Sequence, residues 1–187
     1  MKVIPLINKS LEASNNGRTR KRSYFYISEA GKKPFEIFKN MAGYNYISPR
    51  MKRIFDNGND VHQRIVKYLV KQGVIRGIEV KIKTKLLHGR ADAIIFSDGR
   101  IAVLEIKTMK KRDFERLKTF CNWKAYVQTQ LYMHFLKIDN GIILVECKDD
   151  QRLKEFYLKR KPRVARQQIS YLSKLKRSFV KAGVMAE

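Results

Sequence analysis

Gly89-Arg90-Ala91-Asp92-Ala93-Ile94-Ile95-Phe96-Ser97-Asp98-Gly99-Arg100-Ile101-Ala102-Val103-Leu104-Glu105-Ile106-Lys107-Thr108 is the stretch on which the reading of this chain turns. Two apolar runs, Ala93 to Phe96 and Ile101 to Leu104, flank Ser97-Asp98-Gly99-Arg100. An Asp-Gly pair between β-rich runs predicts a hairpin, because tight hairpin turns need positive φ and Gly supplies it without strain. Antiparallel pairing then brings Asp92, at the outer edge of one strand, beside Glu105 and Lys107, at the outer edge of the other. Alternation puts Glu105 and Lys107 on one face and Ile106 on the opposite one. The apolar remainder of the strand predicts a sheet covered on both faces. Two carboxylates and an ammonium at such a rim are costly unless compensated. A divalent cation would compensate the acids, since hard cations take one or two carboxylates with water and phosphate oxygens. Spacing alone leaves this open beside a surface hairpin with a solvated Glu–Lys pair.

The chain has 187 residues, enough for one domain with its own core, and 41 Lys and Arg against 17 Asp and Glu give a formal net charge of +24. A self-repelling excess of this size points to a polyanionic partner, nucleic acid first and an anionic membrane surface second. No apolar run approaches the roughly 20 residues of a spanning helix, and Met1 to Leu6 is too short for a secretory signal, so an intracellular protein is expected. Cys121 and Cys147 are too few for a four-cysteine cluster or a zinc finger.

Residues 1–50 read as an irregular, basic approach with a turn at Asn15-Asn16-Gly17. Its run Arg18-Thr19-Arg20-Lys21-Arg22 is either a solvated arm or a phosphate-contacting one. Tyr24, Phe25, Tyr26, Tyr44 and Tyr46 favour contact with bases or anchor the arm to the core. A helix capped at Asn59 or Asp60 is expected to run through Val61, Ile65, Val66 and Leu69 and to close at Gly73. His62 shares its apolar side and reads as a core histidine or a ligand. Ile78–Thr84 alternates as a half-exposed strand. Asp113 is expected to cap one long helix through Phe114, Phe120, Trp123, Leu131 and Phe135, with Lys124, Gln128 and Tyr132 on one side, Gln128 either solvated or engaged. Ile142–Val145 reads as a buried strand, Phe156–Leu158 as a short one. An amphipathic helix follows from Arg163, its charged face (Arg166, Lys174, Arg177, Lys181) solvated or touching DNA. A strand that follows a crossover helix lies parallel to its predecessor, so the sheet should be mixed.

Asp92 followed by Glu105-Ile106-Lys107 resembles the core signature of the PD-(D/E)XK nuclease superfamily, with Ala91 in place of its Pro. Gly58-Asn59-Asp60-Val61-His62, Gly89-Arg90-Ala91-Asp92 and Gln128-Thr129-Gln130-Leu131-Tyr132, in that order, make the chain similar to the RecB-like branch over about residues 47 to 150. That branch includes nuclease domains of bacterial recombination enzymes, CRISPR adaptation exonucleases and small phage and archaeal-virus nucleases. The resemblance implies a restriction-endonuclease-like α/β fold, a central mixed sheet flanked by helices. One nuclease domain over 1–187 is expected, with 1–50 the basic arm, 51–160 the catalytic core and 161–187 the C-terminal amphipathic helix. It implies Mg²⁺ or Mn²⁺ held by His62, Asp92, Glu105 and the Ile106 main-chain carbonyl, the imidazole suiting Mn²⁺ better. Asp92, Glu105 and Lys107 are the implied catalytic residues, Lys107 orienting or deprotonating the attacking water. Gln128 and Tyr132 would hold the DNA strand, with Lys148, Arg90 and the basic run Arg18, Arg20, Lys21 and Arg22 as further DNA contacts. The iron–sulfur cysteines of many CRISPR relatives are missing, so no such cluster is expected. No Walker-type phosphate loop occurs, so strand separation would fall to a helicase or to recombination and replication proteins. The implied activity is DNA phosphodiester hydrolysis, by an exonuclease on single strands or ends before a structure-specific or nicking endonuclease. A non-catalytic basic nucleic-acid binder and an RNA-processing enzyme are the other classes. The expected setting is a prokaryotic cytoplasm, phage or viral origin included.

Overall fold

Asp98 and Gly99 both take left-handed backbone, φ 51° and 71°, so the expected hairpin closes through a two-residue turn of the I′ kind. Its strands are β3 (Leu87–Ser97) and β4 (Arg100–Met109), paired from Ser97↔Arg100 to Ala93↔Leu104. The computed structural model describes residues 2–13, 22–42 and 47–186. Around the hairpin, β1 (Phe25–Tyr26), β2 (Ile75–Lys83), β5 (Asn140–Cys147) and β6 (Leu153–Lys159) complete a mixed sheet in the order β1-β3-β4-β5-β6, with β2 along the other edge of β3. β5 lies parallel to β4, as a crossover helix requires.

The edge of β3 that faces β4 is shared. β1 pairs with Leu87 and His88, and β4 pairs from Ala93 onward. Among the described residues, Gly89 to Asp92 therefore have no strand on that edge, and Glu105 to Met109 of β4 pair with β5 alone. The two central strands part at Asp92. Across from Asp92, on β2, Glu79 takes φ 51°, a conformation most side chains avoid inside a strand.

Helices cover both faces. α3 (Pro49–Lys71) packs Val61, Ile65 and Val66 against Ala93, Leu104, Ile106 and Leu144. On the opposite face α5 (Trp123–Leu136) and α6 (Pro162–Lys181) enclose the larger core, which includes Val103, Leu131, Ile143, Leu172 and Phe179. α5 lies between the sheet and α6, so Ala125 to Met133 are buried without a break.

Several expectations need correction. The N-terminal part is not irregular where it is described: α1 spans Val3–Ala13, a 3₁₀ turn spans Ile27–Glu29, and α2 spans Pro34–Met41. α3 starts ten residues before the expected cap. Pro49 is preorganised for its first turn, the Ser48 hydroxyl accepts the Met51 N–H at 3.3 Å, and the helix runs on through Asp56-Asn57-Gly58-Asn59, since nothing there competes strongly enough to end it. The single helix expected from Asp113 is two. α4 (Lys111–Arg116) ends where Leu117 turns extended, and α5 begins at its own cap, the Asn122 side chain accepting the Lys124 N–H. Asn15-Asn16-Gly17, Tyr44 and Tyr46 lie outside the described residues.

Gly89 marks the closest approach of the 3₁₀ turn to β3: a Cβ there would lie 2.8 Å from Ile27 Cβ, whose neighbours are fixed. At Gly141 the severe clash would be with Met133 Sδ at 2.6 Å, part of a flexible thioether, with a milder one at Thr129 Cγ2, 3.0 Å away. Gly89→Ala should therefore cost about 1–3 kcal/mol, the usual range for overpacking, and clearly more than Gly141→Ala. Urea-unfolding midpoints measure both, and an unshifted midpoint for Gly89→Ala would refute the close approach.

Candidate active site

Where β3 leaves β4, the ladder loses a partner for the Ile106 N–H, and a side chain takes over: Asp92 Oδ2 accepts it at 2.7 Å. The other Asp92 oxygen lies 3.2 Å from Nδ1 of His62, which reaches across from α3. That turn of α3 is pinned to the sheet two residues on, where Arg64 donates to both oxygens of Glu146 at 2.8 and 2.9 Å. Ile106 itself is fully buried on the α3 side, so its neighbours Glu105 and Lys107 face α5, as alternation predicted.

Glu105 is 1% exposed. Lys107 Nζ donates to Glu105 Oε1 at 2.5 Å and to Gln128 Oε1 at 3.1 Å, and Gln128 Nε2 in turn donates to the Tyr132 hydroxyl at 3.1 Å. The Gln-x-x-x-Tyr spacing thus folds into one chain of hydrogen bonds running from α5 to the strand. A solvated Gln128 is ruled out. Glu105 Oε2, however, is buried and has no hydrogen-bond partner. Burial raises the Glu105 pKa to about 7, and nearby Asp92 adds to the rise, against the opposing pull of Lys107 and His62. Burial, reinforced by Glu105, also pushes the Tyr132 phenol up.

His62, Asp92, Gln128 and Tyr132 line a cleft of about 790 Å³ whose outer wall includes Tyr26, Ser28, Glu79 and Arg90. Arg90 reaches Glu79 Oε2 at 3.0 Å, both side chains more than half exposed. Other expected contacts stand apart. Arg22 is tied to buried Glu29 at 2.6 Å and lies over the Tyr26 ring, beside the cleft wall. Lys148 follows β5, its N–H donating to Met109 O, and does not line the cleft. Arg18, Arg20 and Lys21 lie outside the described residues.

Sequence reasoning missed Ser28 and Glu79 as wall residues, and the Arg64–Glu146 clamp, while Tyr26, read as a base contact or core anchor, lies on the wall. Glu146, a carboxylate closing the apolar run from Ile142, was the one legible signal. Nothing in the sequence marks the left-handed turn at Glu79.

Among the described residues no three His, Cys, Asp or Glu side chains close into a ready-made metal cage. Two carboxylates with an imidazole alongside are nevertheless a fitting donor set for a hard dication that keeps several waters. The partnerless Glu105 oxygen, buried beside Asp92, is the feature such an ion would satisfy.

The crystal structure of the protein SSO0001 superposes with a TM-score of 0.62 at 20% identity, covering 95% of this chain and 86% of that one. An alkaline exonuclease from Laribacter hongkongensis gives 0.60 at 15% identity over 88% of this chain and 91% of its own. The chain shares the fold of an alkaline exonuclease. The same exonuclease in complex with dAMP gives 0.54 at 15% identity, covering 88% and 95%. No protein-family model matches the chain, and no curated protein resembles it significantly in sequence. The mixed sheet flanked by helices that the motifs implied is therefore the observed fold.

In the metal-free protein the raised Glu105 pKa makes stability fall with pH. Between about 4.5 and 7 the unfolded chain has released this proton and the folded chain still holds it, so the contribution is intact below pH 4.5 and lost as pH rises through 7. Urea unfolding in EDTA should show wild type weakening from pH 5 to pH 8 more than Glu105→Gln. Parallel pH profiles would contradict the burial of a protonated acid.

Proposed function

We propose that this chain is a divalent-metal-dependent DNA nuclease of the PD-(D/E)XK superfamily, RecB-like branch, acting as an exonuclease on single strands or DNA ends in replication, recombination or repair. One observation carries the proposal: at the fork of β3 and β4, next to a cleft lined by His62, Asp92, Gln128 and Tyr132, Glu105 keeps one buried carboxylate oxygen without a partner while its other oxygen holds a lysine that Gln128 also binds. The shared fold and the net charge of +24 support it.

Asp92, Glu105, His62 and the Ile106 carbonyl would hold Mg²⁺ or Mn²⁺, which when bound supplies Lewis acidity toward the scissile phosphate and its water nucleophile. The chain's own groups do the rest. Lys107, fixed between Glu105 and Gln128, orients the attacking water and takes or shares its proton. Gln128 and Tyr132 position the strand end, and Arg90 meets its backbone at the rim. The Asp92 bond to the Ile106 N–H keeps that carboxylate at the strand junction through the reaction. Strand separation is left to partner helicases or replication proteins, and the site lies in a chain in which no described helix is long and apolar enough to cross a membrane.

End-labelled linear single- and double-stranded DNA, incubated with Mg²⁺, Mn²⁺ or EDTA, tests the proposal. Wild type should shorten DNA from its ends only with metal and leave closed circular single strands intact. Glu105→Ala and Lys107→Ala should each slow cleavage by about 10²–10⁴-fold, the usual weight of a positioned acid–base group, while DNA affinity in EDTA stays within about threefold. Cleavage unaffected by EDTA, or by either substitution, would sink the proposal and leave a basic DNA-binding protein.

A further inference from the structure

The turn between β2 and β3 and the C-terminal half of α6 enclose a groove of about 550 Å³, with Leu86 and Val180 in its lining. Four cations surround it: Lys85 from the turn, and Lys176, Arg177 and Lys181 from α6. None of the four has a carboxylate within ion-pairing distance among the described residues. Some cations elsewhere are matched, as in Arg22–Glu29, Arg64–Glu146, Arg90–Glu79 and Arg160–Asp139. α6 cannot supply a match, because its sequence from Pro162 to Lys181 contains no Asp or Glu.

Like charges one helical turn apart, such as Arg177 and Lys181, repel, and only Lys181 gains from the negative end of its helix. Lys85 joins them from a distant part of the chain. The apolar lining suits Lys and Arg stems, which lie along such surface while their heads reach outward. Among the described residues no carboxylate offsets this convergence of charge; a row of phosphates would.

The groove also adjoins the cleft. β3 leaves the turn, and its residues His88, Gly89 and Arg90 line the cleft wall before Asp92 is reached. From Leu87, where β3 begins, to Asp92 is roughly 17 Å of strand at about 3.3 Å per residue. That length matches about five nucleotides of one DNA strand at about 3.4 Å each.

We propose that this groove seats the phosphate backbone of the substrate DNA several nucleotides away from the end held in the cleft. It rests on the nuclease proposal for the identity of the substrate, and it makes the groove a contact that lengthens the footprint without touching the reacting phosphate.

The test is fluorescence anisotropy in EDTA with labelled single strands of four and twenty-five nucleotides. It compares wild type with Lys85→Gln/Arg177→Gln/Lys181→Gln, whose three positions are exposed, and with each single variant. The triple variant should bind the long strand about tenfold or more weakly, with a log–log salt slope flatter by about 0.7 for each phosphate no longer neutralised, and bind the short strand as wild type does. The single variants should divide that loss, and a melting curve matching wild type excludes misfolding. Unchanged affinity for the long strand overturns the proposal, as does equal loss on both lengths, which would place the effect in the cleft. So does loss of binding to phosphatidylserine vesicles with DNA binding intact, which would make the groove a membrane contact. Failure of wild type to bind either strand would instead remove the nuclease proposal itself, so the two failures are distinguishable.

Discussion

The parting of β3 from β4 after Ala93↔Leu104 is the constraint from which the rest of the site follows. A continuous ladder would have consumed the Ile106 N–H and filled the space beside Glu105. Because the strands diverge, a backbone donor is freed in the interior, and an unpaired donor there costs about 1–3 kcal/mol. Asp92 answers it, which fixes one carboxylate at the fork. β1 then takes the vacated edge of β3 at Leu87 and His88, and the 3₁₀ turn that follows β1 becomes the cleft wall. Gly89 is the residue that lets this wall close in. Hydrogen-bond accounting, sheet topology and cleft shape are one fact seen at three scales.

Burying Glu105 beside Asp92 is the expensive step. Lys107 satisfies one oxygen and is itself steadied by Gln128, yet the second oxygen stays bare and burial holds its proton affinity far above that of an exposed glutamate. Replacing such a group with an apolar residue of similar size would commonly stabilise a fold. Strained or unsatisfied groups of this kind cluster where a protein does chemistry, and the left-handed Glu79 across from Asp92 is a second one at the same place.

Local chemistry in the sequence was legible where one residue type has one physical use. Asp98-Gly99 specified the hairpin turn, and alternation along Val103 to Lys107 assigned Glu105 and Lys107 to the face opposite Ile106. The apolar Ile142 to Val145 run was a buried strand, parallel to β4 by the crossover rule. What escaped detection depended on tertiary context. α5 is enclosed between sheet and α6, so its burial has no helical period, and periodicity alone left Gln128 open between solvated and engaged. The break before α5 hangs on one asparagine cap in a stretch whose apolar spacing otherwise continues. The start of α3 hangs on Ser48-Pro49, ahead of a polar turn that itself resembles a cap. His62 shares a helix side with apolar neighbours, and only the fork in the sheet explains why it meets Asp92 and not the core.

The distribution of charge adds a last step. Six of the 17 acids are held in structural pairs: Glu29 with Arg22, Glu146 with Arg64, Glu36 with Lys124, Asp139 with Arg160, Asp150 and Glu115 with Arg152. In a chain of net charge +24, two acids are nonetheless kept at the fork of the sheet: Asp92, which lines the cleft, and Glu105, buried beside it. The long-range field draws a polyanion toward the protein, while a carboxylate at the fork repels phosphate at close range. Those two tendencies are reconciled when a dication stands between the carboxylates and the phosphate, so the charge map asks for the same ion as the bare oxygen of Glu105.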